Sequence, residues 1–290
     1  MKKIVPTFFA IAALAVVGFM SNAADAPAVK PLRVLLVCGG CCHDYAKQQE
    51  LLKAGIESRV NALVEVAYNP DTTTKAKFPI YESAEWAKDF DVVIHDECSA
   101  DVTEPGYVNN ILNAHRNGTP AVNLHCAMHS YRWGNFREPV AAGSENAGWY
   151  DFLGLQSTGH GPKEPIAITF TDSESPITKG LTGWTTINEE LYNNINLSTC
   201  KPLASGLQVV PPKAKKGETL PPDAKATEAK AVVAWTNEYG DKKTRVFSTT
   251  LGHQNETVGD ARYLDFVTRG LLWATGKIDT EGKPLPGYGK

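Results

Sequence analysis

After its first residues the sequence has no long apolar run, no dense basic tract, and no second C-x-x-C to join the one formed by Cys38 and Cys41. Nothing beyond Met20 is apolar for long enough to build a spanning helix, so the mature chain is expected to be soluble, with no stable membrane anchor. Lysine and arginine total 29 against 32 aspartates and glutamates, and no stretch concentrates the positive charge, which argues against a nucleic-acid partner. Six cysteines in 290 residues are too few for a disulfide scaffold, and their spacing fixes no connectivity. There is no internal repeat, no nucleotide cofactor is indicated, and no oligomeric state can be read.

What is present begins with a leader. Lys2 and Lys3 make a positive start, Phe8 to Met20 is a short apolar run, and Ser21-Asn22-Ala23 offers small residues for cleavage. Residues 1–23 are therefore expected to be a secretory signal, which makes the protein exported, periplasmic or secreted. No cysteine closely follows the run, so a lipoprotein anchor is not expected.

The pattern then alternates. Leu32 to Gly40 is a continuous apolar run that reads as a strand buried on both faces. Tyr45 to Val60 has helical spacing, with Leu51, Leu52, Ile56 and Val60 on one stripe. Ala62 to Tyr68, Phe90 to Glu97 and Pro120 to His125 read as strands. Between the last two, Thr103 is expected to cap a helix that has Pro105 in its first turn and Gly118 past its end. This order predicts a doubly wound, mostly parallel flavodoxin-like sheet with helices on both faces. Residues 134–162 read as an aromatic insertion over the sheet's edge, 165–171 and 203–210 as further strands, and 211–230 as a surface loop. A hairpin over 231–252 turns near Gly240, and a helix over 260–275 buries Tyr263, Phe266, Leu271 and Trp273. One domain is expected over 32–276, with a tail over 277–290.

Polar groups gather where the strands end. His43 follows the first strand, His95-Asp96-Glu97 close the third, and His125 closes the fourth. Ligands of open parallel sheets sit outside the carboxyl ends of the strands, so these three histidines are expected to converge on one crevice. His160 and His253 each follow glycine and are further candidates. His129 lies one helical turn after His125, a spacing that suits either a metal pair or simple packing. His115, near a helix C-terminus, is read as a cation complementing the helix dipole. Cys38 and Cys41 would need two more ligands to hold zinc, and no second C-x-x-C supplies them. The other reading of that stretch is a tight glycine turn with a disulfide nearby.

The motifs "VCGGCCHDY", "GTPAVNLHCAMHS", "STGHG", "SPITKGL", "NEELY" and "TLGHQNE", in that order, resemble the ThuA-like family, which is associated with the use of trehalose and related sugars. The family's "DELY" stands here with Glu189 in place of the aspartate. The resemblance implies a fold similar to class I glutamine amidotransferases. Their elbow pattern, laid on Gly118-Thr119-Pro120, puts the nucleophile position on His125 rather than Cys126, and the later catalytic histidine on His253. Cys126 is then expected to face the packed helix, and glutaminase activity is not expected.

By this resemblance the chain is a carbohydrate-active enzyme, a hydrolase, lyase or isomerase acting on a disaccharide, glycoside or keto-sugar. A non-catalytic sugar-binding protein is the alternative. His125, Glu190 and Asp96 are the expected catalytic groups; His43, Tyr192 and Trp149 the expected substrate contacts. His43, His95, His125, His160 and His253 are candidate ligands for one divalent metal ion, zinc or similar, because neutral imidazole is the commonest protein ligand for such ions.

Overall fold

A computed structural model describes residues 1–3, 29–196, 199–214 and 216–290. The leader expected at 1–23 therefore lies, beyond its first three residues, outside the described residues. Among them no helix is long and apolar enough to cross a membrane.

The protein is a mixed α/β fold built on one sheet. The described elements run β1 (Leu32–Gly40), α1 (Tyr45–Glu57), β2 (Ala62–Asn69), β3 (Val92–Cys98), α2 (Pro105–Arg116) and β4 (Ala121–Leu124). They continue with α3 (Gly148–Leu153), β5 (Gln156–Phe170), β6 (Thr185–Asn196), β7 (Lys201–Val210), β8 (Thr227–Tyr239), β9 (Thr244–Thr249), α4 (Asn255–Val258) and α5 (Ala261–Ala274). The nine strands lie in the order β2-β1-β3-β4-β9-β8-β7-β5-β6.

The first five strands in that order are parallel and keep the flavodoxin-like arrangement, with β9 in the last place. The remaining pairings are all antiparallel. The expectation of a mostly parallel sheet is therefore corrected. Once the chain leaves β4 it returns by hairpins, and hairpin connections enforce antiparallel pairing.

Alternation along the strands builds two cores. In β1, Val34 and Leu36 face α1 and α5, while Leu35 and Val37 face α2 and α3. Each fully buried aliphatic or aromatic side chain contributes about 1.5–3 kcal/mol. Asp44 caps α1 by accepting from the Lys47 amide, and Asp260 caps α5 by accepting from the Arg262 amide. Helix α2 begins at Pro105 with Glu104, not Thr103, at its cap position. Trp273 is only partly buried on α5, where the Arg245 guanidinium lies over its ring.

Three further expectations change. The aromatic insertion folds back as α3, whose Trp149 and Phe152 join the second core instead of covering an edge. Strand β8 takes the last four residues of the expected surface loop. Strand β6, where no element was assigned from the sequence, pairs with β5 in a ribbon with several register shifts. The tail is tied down where Asn61 donates to the Gly287 carbonyl and Val60 bridges Gly289.

Candidate active site

His125 closes β4 in a left-handed turn with φ +41°. A non-glycine residue there is strained by about 1–3 kcal/mol, and such strain collects at functional sites. The turn aims the imidazole outward, as the elbow register requires. Its Nδ1 donates to the Thr250 carbonyl at 2.7 Å, which leaves the Nε2 lone pair facing the crevice. His43, just past β1, and His253, just past β9, bring their rings to 4.7 Å from each other. His43 stands 4.7 Å from the His125 ring as well. One ring nitrogen from each of the three lies within 4.8 Å of the others. All three come from the carboxyl ends of parallel strands, where the rule for open sheets places a ligand.

The fourth member arrives from the far half of the sheet. Glu190 on β6 places Oε2 3.5 Å from His125 Nε2 and 3.5 Å from His160 Nε2, with Oε1 3.3 Å from His253 Nδ1. Its carboxylate is only 6% exposed. In the β5–β6 ribbon His160 pairs with Tyr192 and Lys163 with Glu190, so these four side chains form one patch. Lys163 Nζ stands 3.8 Å from Glu190 Oε1. Tyr192 stacks on His129 with ring centroids 4.2 Å apart.

Electrostatics follows from this packing. Burial would raise the Glu190 carboxyl, but His125 and His253 outweigh it and hold the group well below the usual carboxylate range. Burial, reinforced by His125 and His253, pushes His43 down to about 2, so it is neutral.

Three buried ring nitrogens, His43 Nδ1, His125 Nε2 and His253 Nδ1, have no hydrogen-bond partner among the described residues. Buried polar atoms of that kind are costly unless something satisfies them. Three imidazoles with one carboxylate suit a borderline divalent ion such as zinc. The residues present therefore fit one divalent cation.

The other expected residues are placed differently. His95 lies on the opposite face from the crevice, because strand alternation turns it towards α2 and α3. Its Nδ1 meets Glu97 Oε1 at 2.9 Å and its Nε2 meets His115 Nε2 at 3.0 Å. His115 commits its Nδ1 proton to the Thr119 carbonyl at 2.7 Å, so its Nε2 accepts and His95 must donate. His115 is no dipole-complementing cation: burial first, then His95, pushes it down to about 3. Asp96 points into the α1 and α5 core, with Oδ2 3.3 Å from Cys38 Sγ, and burial raises its carboxyl well above the usual range. Trp149 is buried, donating to the Ala127 carbonyl. His129 bonds Ser157 Oγ at 2.9 Å, which is the packing role and not the metal pair.

Cys126 is bonded to Cys98, and both line the crevice, so the sulfur is not turned away as expected. Sequence reasoning also missed Lys163 and Arg132, which line the same space of about 270 Å³. It missed the role of Glu189 too. That buried carboxylate accepts from the backbone amides of His253 and Gln254, both at 3.1 Å, and fixes the His253 loop. Spacing gave no signal for Lys163, because three residues after His160 a regular strand faces the other way and only the register shift between them brings both to Glu190.

The profile of the family described as "ThuA: Trehalose utilisation" matches residues 33–274. A ThuA-like protein from Parabacteroides merdae superposes with a TM-score of 0.59 at 17% identity, covering 90% of this chain and 97% of the other. A second, from Bacteroides uniformis, gives 0.51 at 14% identity, covering 88% and 96%. No curated protein matches the chain in sequence.

Proposed function

This chain belongs to the ThuA family, and from that premise we propose that it is an exported, carbohydrate-active enzyme working in the histidine–carboxylate crevice. The reaction class is hydrolase, lyase or isomerase, on a disaccharide, glycoside or keto-sugar. The observation that carries the reading is Glu190, a buried carboxylate with three imidazole nitrogens within 3.5 Å. Such a set either shares protons or surrounds a cation, and both uses serve chemistry at a sugar oxygen.

His43, His125, His253 and Glu190 would hold a divalent cation, which polarises a carbonyl or hydroxyl oxygen. His125 is kept in the tautomer that offers Nε2 by its bond to Thr250. His160 is the solvent-facing acid–base group. It is 41% exposed at the crevice mouth, its Nδ1 donates to the Gly161 carbonyl, and its Nε2 lies beside Glu190. A proton taken from a substrate hydroxyl at Nε2 is stabilised by the adjacent carboxylate. Lys163 and Arg132 supply positive charge for an oxygen that gains negative charge in the transition state. Tyr192 gives the ring wall. Loss of the secretory leader before the protein works would leave this machinery intact.

The test is His125→Ala, with binding and turnover measured together on disaccharides, aryl glycosides and keto-disaccharides. Lost turnover with sugar binding retained is expected. Turnover and binding both unchanged would remove His125 from the reading. A native protein that binds sugar in the crevice but turns over none of these substrates would favour the sugar-binding alternative.

A further inference from the structure

Four sulfurs meet at the lip of the crevice. Cys41 and Cys42 follow β1 and are bonded to each other; Cys98 ends β3 and is bonded to Cys126 past β4. The two pairs touch, with Cys41 Sγ 3.5 Å from Cys98 Sγ. The contact is built into the backbone. Gly40 sits at φ +96°, and a Cβ there would meet the Cys98 carbonyl oxygen at 2.3 Å, so only glycine lets the two segments close. The Cys41 amide then donates to that same carbonyl at 3.2 Å.

Stability accounts for Cys98–Cys126, which closes a loop of 28 residues, but not for Cys41–Cys42. A disulfide restrains the unfolded chain in proportion to the loop it closes, and Cys41–Cys42 joins adjacent residues, so it restrains almost nothing. The sulfurs do have the spacing of a ligand set. A tetrahedral zinc with bonds of about 2.3 Å has ligand edges of about 3.8 Å. Ligand atoms of Cys41, Cys42 and Cys98 lie within 4.8 Å of one another, as do those of His43, Cys98 and Cys126. The two further ligands that Cys41 lacks by its C-x-x-C spacing are its neighbour Cys42 and Cys98 at the end of β3. Cys38, its C-x-x-C partner, faces Asp96 instead.

We propose that, once its two disulfides are reduced, the chain forms a second cation site from the thiolates of Cys41, Cys42 and Cys98. The set selects a soft, thiophilic ion, zinc or cuprous copper. The chemistry balances with an external dithiol as reductant. Each disulfide takes two electrons and two protons and becomes two thiols, while one dithiol is oxidised to its disulfide. Cation binding then displaces one proton from each thiol that ligates. Cys42 is exposed, which gives the dithiol an entry point. Lys163 and Arg132 line the same space and favour thiolate over thiol. The site uses none of the imidazole set and requires no sugar chemistry.

The experiment titrates Cd2+ into the full chain, oxidised and dithiol-reduced under anaerobic conditions, following the thiolate-to-cadmium charge-transfer band. His253→Ala is run in parallel to weaken the imidazole site. The reduced chain is expected to take up one more equivalent than the oxidised chain, with the band, in both backgrounds. Cys98→Ser should lose that equivalent, and Cys200→Ser should keep it. Should Cys98→Ser fail to fold, alkylation of the reduced native chain is read by mass spectrometry. Cd2+ must then slow labelling of Cys41, Cys42 and Cys98 at least tenfold relative to Cys200. Equal uptake by oxidised and reduced chains, a band that survives Cys98→Ser, or unprotected thiols would overturn the proposal.

Discussion

Replacing Glu190 by glutamine keeps the shape of the side chain and removes its charge. The carboxylate stands 3.3 Å from His253 Nδ1 and 3.5 Å from His125 Nε2, and is nearly buried. At an effective dielectric constant near 20, two unit charges about 3.5 Å apart attract by about 5 kcal/mol. Taking the carboxylate out of water costs several kcal/mol, so most of that attraction is offset. The remainder, on the scale of a hydrogen bond to a charged group, is about 1.5–3 kcal/mol. The variant should therefore bind Zn2+ or Co2+ about 10- to 150-fold more weakly than the native chain, by calorimetric titration at pH 7.5 without reductant. Cation affinity equal to native in a folded Glu190→Gln protein would refute the placement of this carboxylate at the centre of the site.

Acid should weaken the fold. His43 and His115 are neutral in the folded chain, pushed down to about 2 and about 3, below the ~6.5 of an unfolded histidine. The unfolded state binds the extra protons, so stability is lost as pH falls below ~6.5, by about 2 kcal/mol for each group at pH 5. Glu190 acts in the same direction: its depressed carboxyl contributes above ~4.3 and loses that contribution below it. Urea midpoints in chelator at pH 7.5 and 5 check this, and His115→Leu should flatten the slope. His95→Leu leaves buried Glu97 with only the Tyr81 and Tyr131 hydroxyls and removes the donor to His115 Nε2, which should cost about 1–3 kcal/mol in the same assay, while cation affinity of the folded fraction stays native. A stable His95→Leu chain that loses its cation would return His95 to the site.

Much of the parallel half was legible. Apolar runs ending in glycine or histidine marked β1, β3 and β4, and turn residues bounded α2. The elbow register singled out His125, and the structure sets that residue in a left-handed turn after β4. His95 was misplaced for a specific reason. Proximity to a strand's end says nothing about which face a side chain takes, and a shift of one residue reverses it. Asp96, next in sequence, points to the other face yet is turned into the core. Glu190 and Tyr192 came from the family resemblance alone, because β6 carries neither an apolar run nor clean alternation. The sulfur cluster was illegible because its members come from three segments that only the sheet brings together. In the antiparallel half the hairpin over 231–252 was read from its turn and is β8 and β9, whereas the pairing of β5 with β6 and β7 depends on connections that the pattern does not encode.

The central claim is that His43, His125, His253 and Glu190 hold a cation. X-ray absorption on the oxidised, zinc-loaded protein tests it most directly. One zinc per chain with a nitrogen and oxygen shell, three imidazoles and no sulfur, is the result expected. Oxidised protein that binds no zinc, or zinc bound through sulfur or without histidine, would contradict it.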